Sequence, residues 1–124
     1  MDLNYINIML YVTGIITATV GLQFFFPELV SEKMFQIKLK DDASILVARH
    51  WALLVGIIGL LIICSVHSPA IRTHILIAAV ISKAAIVLLI LKDLKKDYTK
   101  GLKVTVVFDT ICVVLYILVL FEIT

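Results

Sequence analysis

Charge is the commodity this sequence holds least of for its size. Asp, Glu, Lys and Arg make up 16% of its 124 residues and hydrophobic residues 62%. Soluble domains average about 25% and about 45–50%. Mean hydropathy is +1.13, so the composition excludes an ordinary soluble domain and falls in the membrane class. Cysteine is scarce as well: Cys64 and Cys112 both lie within apolar runs, which excludes a disulfide framework and leaves small buried apolar thiols as the expectation. A net charge of +2 is too small to argue for a nucleic-acid partner. There is no internal repeat, low-complexity tract or flexible linker, and the length suits one domain. Nothing resembles a nucleophile beside its base, a phosphate loop, a zinc helix or paired catalytic carboxylates, so the sequence offers no ground for an enzyme acting alone. Cys64, His67 and His74 follow a C-x2-H, x6-H spacing that matches no strong metal site, with Pro69 interrupting it. No metal or cofactor is expected.

What the chain does have is apolar length. Four runs, residues 3–26, 45–66, 69–91 and 102–121, are each near the roughly 20 residues needed to cross a bilayer as a helix. The expected fold is therefore all-α, a four-transmembrane-helix up-down bundle in one domain. The first run begins after Asp2 rather than a basic segment, is too long for a signal h-region and lacks a small-residue cleavage site, so it reads as a permanent helix. Gly14, Ala18 and Gly21 in the first run and Ala48, Ala52, Gly56 and Gly59 in the second form small-residue stripes of the kind that let membrane helices approach closely. Residues 27–44 are the longest connection. Pro27 can open a short interfacial helix there, with Leu29, Val30, Met34 and Ile37 on the membrane surface; an irregular loop is the alternative. Asp41, Asp42 and Ser44 are N-cap candidates for the second span. Ser68 and Pro69 read as N-cap and first position of the third. That span is expected to continue as helix through Lys92, Asp93, Lys95 and Lys96, with a turn at residues 98–101.

The lysines and arginines between spans are asymmetric. Connections 27–44 and 92–101, with the adjoining Lys103, hold Lys33, Lys38, Lys40, Lys92, Lys95, Lys96, Lys100 and Lys103; the tails and the second connection hold only Arg72. The positive-inside rule then puts loops 27–44 and 92–101 in the cytoplasm and both termini outside, in what is expected to be a bacterial cytoplasmic membrane.

Three ionisable residues interrupt the spans: Arg49, Lys83 and Asp109. A charge at a helix centre costs about 2.5–3.5 kcal/mol on insertion scales, so such groups face protein and find partners. Helical rise puts Arg49 about 8 Å, Asp109 about 9 Å and Lys83 about 13 Å from the cytoplasmic ends. Asp109 is therefore expected to pair with Lys83, Arg49 or both. Thr105, Asp109, Cys112 and Tyr116 recur at intervals of four, three and four, a polar stripe that should face the first helix. The candidate ligand site or intramembrane charge network is accordingly Arg49, His50, Lys83, Asp109, Thr105 and Tyr116. Its bland interpretation is an ion-pair network that sets helix register. The sharper one is a proton relay or a site for a quinone or lipid head group. Trp51 reads as an interfacial anchor.

The first span closing on Phe-Phe-Phe-Pro-Glu-Leu, then Ala-Arg-His-Trp-Ala-Leu-Leu-Val-Gly-Ile-Ile-Gly-Leu-Leu and two further spans, resembles the DoxX-like group of small four-helix membrane proteins over most of the chain. Some members of that group are small subunits of membrane quinone-reducing complexes, and animal relatives help assemble other membrane proteins. The first helix of DoxX-type proteins often carries an arginine, which this chain lacks, so the resemblance implies the architecture and no catalytic residue. Two functions are expected to compete. One is an accessory or assembly subunit, or a bundle binding a small lipophilic ligand, with the lipid bilayer, a larger membrane complex or a homo-oligomer as partner. The other is a small proton-coupled transporter using Lys83 and Asp109.

Overall fold

The computed structural model describes residues 3–123, and for Leu3, Asp97, Tyr98 and Ile123 the backbone alone. Asp2, which argued against a signal peptide, lies outside the described residues. The chain forms α1 (Leu3–Thr19), α2 (Pro27–Phe35), α3 (Asp42–His67), α4 (Pro69–Lys92) and α5 (Lys103–Ile123). Two 3₁₀ segments, Val20–Phe24 and Asp97–Leu102, extend α1 and lead into α5. Counting those extensions, four helices are long and apolar enough to cross a membrane. No more than 28% of any span is buried inside the chain, so most of its apolar surface is left for lipid. The all-α, four-span arrangement expected from the sequence is what the chain adopts. Its two ends are distinguished below as the terminal end and the basic end, where α2 and the α4–α5 connection lie.

The small-residue stripes face one another. A Cβ built on Gly59 would stand 2.4 Å from the Ala18 nitrogen and 2.7 Å from the Gly14 carbonyl oxygen. Only glycine permits that approach of α3 to α1. Farther toward the basic end Gly56 meets Gly21, whose Cα would lie 3.0 Å from an added Cβ. Both stripes are thus consumed within one chain. α3 also packs on α4 and α4 on α5, while the backbones of α1 and α5 make little direct contact.

The connections depart from the expected pattern in three places. The first run changes to 3₁₀ winding at Val20, though it stops at Phe26 as expected, where the backbone (φ −131°, ψ 66°) has left the helical region that the following proline disfavours. Residues 27–35 do form the short helix, but only part of it lies flat on the surface: Val30, Ser31 and Phe35 are buried against the bundle, whereas Leu29 and Met34 are exposed. Its end is capped by Gln36 in the left-handed conformation (φ 55°), with the Gln36 and Ile37 N–H groups donating to the Ser31 carbonyl. Third, α4 ends at Lys92 instead of running on through Lys96. Asp93 N–H turns back to Ile90 and Leu94 N–H to Leu91, because the lysine-rich segment beyond has no apolar face to bury. At the start of α3 the Asp41 carboxylate accepts the Ser44 N–H at 2.7 Å, as a capping residue should. Ser68 precedes Pro69 as expected but makes no side-chain cap.

Two contacts hold α2 over the basic end. A Cβ on Gly101 would fall 1.8 Å from the Phe35 carbonyl oxygen, so the α4–α5 connection grips the end of α2 at a point where no larger residue fits. Phe35 in turn meets Trp51 edge-on, ring centres 5.8 Å apart. Gln23 completes the join. Its amide donates to the Ala48 carbonyl at 2.8 Å and accepts from the Ser31 hydroxyl at 3.1 Å, tying the first span, α2 and α3 together.

Candidate functional site

Lys83 and Asp109 meet inside the bundle. Nζ of Lys83 lies 2.9 Å from Oδ1 of Asp109, and the two side chains keep 6% and 11% of their surface exposed. The same ammonium donates to Thr17 Oγ1 at 3.0 Å and sits 5.0 Å from the centre of the Phe108 ring. α4 supplies the cation, α5 the anion and α1 the neutral acceptor. One turn toward the terminal end, the Tyr116 hydroxyl donates to Thr13 Oγ1 at 2.6 Å, and that threonine donates to the Met9 carbonyl at 2.8 Å. Cys112, fully buried, stands between the Asp109 and Tyr116 levels of α5. The stripe read from intervals of four, three and four therefore points inward, onto the threonines of α1. Thr105 continues it toward the basic end, where it lines a cavity.

That cavity has a volume of about 150 Å³. Ile16, Thr17 and Val20 from the first span, Met34 and Phe35 from α2, Trp51, Val55 and Ile58 from α3, Ser82 and Ile86 from α4, and Val104 and Phe108 from α5 form its walls, and the Lys83–Asp109 pair its polar patch. It is bounded by both closely joined helix pairs, α1 with α3 and α4 with α5, toward the basic end. Hydrogen bonds hold them together farther in, and α2 lies across the gap. A mostly apolar space with a few convergent polar groups is the usual form of a small-molecule site.

No family model matches this chain, and no curated protein or solved structure does. The site must therefore be judged on its own geometry.

Two expected members stand apart from it. Arg49 does not share the Asp109 carboxylate. It is exposed on α3, donates through Nε to the Phe24 carbonyl at 2.9 Å and covers the Phe24 ring at 5.1 Å. The carbonyls that end the 3₁₀ segment need donors, and a guanidinium beside a helix end meets that need without reaching the bundle centre. His50 is exposed on the outer face of α3, one residue past Arg49 and about 100° further around the helix, so it too is remote from Lys83 and Asp109. Both cysteines are free thiols, but only Cys112 is buried as expected; Cys64 is exposed, because an apolar run that crosses a membrane need not turn every residue into the bundle.

Sequence inspection missed Arg72, which counted only as the one basic residue of the terminal side. It lies on the first turn of α4 and is buried, 4% exposed. Nε donates to the Ser65 carbonyl at 3.1 Å and Nη2 to the Val66 carbonyl and Asn7 Oδ1, both at 3.4 Å. Arg72 thus closes the C-terminal end of α3 and binds it to α1. The signal available was its position three residues after Pro69, which places it beside the last carbonyls of the preceding helix in a tight hairpin. Nearby, the Tyr11 hydroxyl and His67 Nε2 form a close hydrogen bond.

Proposed function

We propose that this protein is an integral membrane bundle that holds a small lipophilic molecule, a lipid or a quinone, in the cavity beside Lys83 and Asp109. We further propose that it serves as an accessory or assembly subunit and not as an enzyme on its own. The observation that carries this reading is the placement of a buried, hydrogen-bonded ion pair on the wall of an otherwise apolar cavity. A pair that served only to fix register could be packed over completely. This one keeps part of its carboxylate open to the space. Intramembrane ionisable residues of this kind mark ligand or ion sites by default. The resemblance to DoxX-like proteins agrees with the four-helix frame and with a subunit role. The lysine bias supports a basic end in the cytoplasm with both termini outside, and the membrane we propose is a bacterial cytoplasmic membrane. The cavity then opens near the inner leaflet.

The test is native mass spectrometry after mild detergent extraction, followed by organic extraction of the purified protein. A retained small molecule, released by Asp109→Leu in a protein that stays folded, is the expected result. A bare chain mass that added lipids or quinones never shift would end the ligand reading, and absence of any co-purifying protein would end the subunit reading.

A second reading is favoured by the stacking of polar groups along α1 and α5. Lys83–Asp109–Thr17 and Tyr116–Thr13 occupy successive levels of the bundle, with Asn7 and Arg72 beyond them toward the terminal end. This is the beginning of a proton path, as a small proton-coupled carrier would need. Such a carrier shows pH-dependent flux in liposomes that Asp109→Asn abolishes without unfolding the protein.

A further inference from the structure

The cavity opens sideways. Of the residues that line it, the exposed apolar ones are Ile16 on α1, Met34 on α2 and Val104 on α5, at 45%, 45% and 75% exposure. The side chains lining it from α3 and α4, Trp51 and Lys83 among them, are buried or half-buried. With Ile16 and Val104 the exposed apolar residues among the spans that line it, the mouth lies between α1 and α5, whose backbones make little direct contact. Phe35, gripped by Gly101 and edge-on to Trp51, covers the basic end. Outside the mouth, Val104 and Phe108 are shared with a shallow apolar groove that runs along α5 through Val107 to Ile111. That groove faces the hydrocarbon region.

The polar patch inside constrains what can enter. Lys83 and Asp109 sum to zero charge whether the proton sits on the amine or is passed to the carboxylate. An anionic or cationic head group placed there would bring a charge with nothing to balance it, and burying an unbalanced charge is strongly unfavourable. Arg49 is engaged at Phe24 and is not among the lining residues. Lys103 is exposed at the basic edge of the outer groove and does not line the cavity. The ammonium has three N–H groups, of which Thr17 and Asp109 take two. The third N–H and the open part of the carboxylate together suit a group that accepts one hydrogen bond and donates another, as a hydroxyl does. A volume of about 150 Å³ accommodates a group about the size of a benzene ring.

Resting on the ligand-binding reading above, we propose that the site takes a neutral hydroxyl-bearing amphiphile directly from the bilayer. Its polar end enters between α1 and α5 to bond Lys83 and Asp109, and its hydrocarbon chain trails out along the α5 groove. The neutral head excludes anionic phospholipids and fatty-acid anions; the lateral mouth excludes water-soluble molecules arriving from the basic surface.

Trp51 is the single tryptophan of the chain and lines the cavity, so it reports occupancy without labelling. The protein in detergent micelles is titrated with a long-chain monoacylglycerol brominated beside its ester, and separately with a brominated alkyl sulfonate of equal chain length. The expected result is saturable quenching of Trp51 by the monoacylglycerol, at least ten-fold weaker with the sulfonate. Ile16→Phe with Val104→Phe, which narrows the mouth and leaves Lys83 and Asp109 in place, is expected to weaken the monoacylglycerol about ten-fold. Equal or tighter sulfonate binding overturns the neutral class, and mouth variants that bind like the parent overturn the lateral route; either outcome leaves a ligand-binding bundle standing. No saturable quenching by either probe overturns the binding function itself.

Discussion

The Lys83–Asp109 pair can be weighed by replacing each partner alone and then both together. At an effective dielectric constant of about 20, opposite charges 2.9 Å apart attract by about 6 kcal/mol. Taking both ions out of water offsets much of that attraction. Removing one partner leaves the other buried, so Lys83→Met or Asp109→Leu should each destabilise the folded bundle by about 3–5 kcal/mol. The double variant removes both charges and fills their volume with apolar atoms. It should lie within a few kcal/mol of the parent, well short of the sum of the single losses. Thr17 is left with its hydroxyl free to bond its own helix, so no further large term enters. The assay is equilibrium unfolding in mixed micelles of increasing SDS fraction, followed by Trp51 emission and far-UV circular dichroism. A coupling energy of at least about 3 kcal/mol is the expected outcome. Single losses that add to within about 0.5 kcal/mol in the double variant would mean that the two groups do not act on each other, and the site described above would lose its polar centre.

Three other outcomes can be measured with the same preparation. Gly59→Ala puts a Cβ 2.4 Å from the Ala18 nitrogen, and separating α1 from α3 to admit it should cost about 1–3 kcal/mol in the SDS titration. Arg72→Met strips the donors from the Ser65 and Val66 carbonyls and should cost about 1.5–3 kcal/mol; an unchanged transition would show that water or lipid replaces the guanidinium. The Asp41 pKa is held below its usual 3.8 chiefly by the Ser44 backbone N–H. With a depressed folded pKa, the cap's contribution is complete above the unfolded value and is lost as pH falls through the lower, folded value. Protection of the Ser44 amide against hydrogen exchange should therefore decline below about pH 3.8 and be weak at every pH in Asp41→Ala.

Much of this protein was legible before any coordinates. Four apolar runs require four spans because a buried backbone in lipid must satisfy its own hydrogen bonds, and the helix does so locally. The glycine and alanine intervals identify packing faces for the same local reason, as does the inward stripe of Thr105, Asp109, Cys112 and Tyr116. Pairing of Asp109 with a cation followed from the cost of an unpaired charge. Which cation it takes was a tertiary matter. Arg49 and Lys83 were separated by only about 5 Å in estimated depth, and depth says nothing about the direction in which a helix face points. α3 turned its small stripe to α1, which carried Arg49 out to the Phe24 carbonyl and left the centre to Lys83. Arg72 was hidden for a related reason: its partners are carbonyls, which every residue owns, so no residue type in the sequence marks them. The cavity is likewise a property of packing. It lies beneath α2, beside the Thr17–Lys83 bond that joins the α1–α3 pair to the α4–α5 pair, and its walls come from five helices that no local pattern brings together.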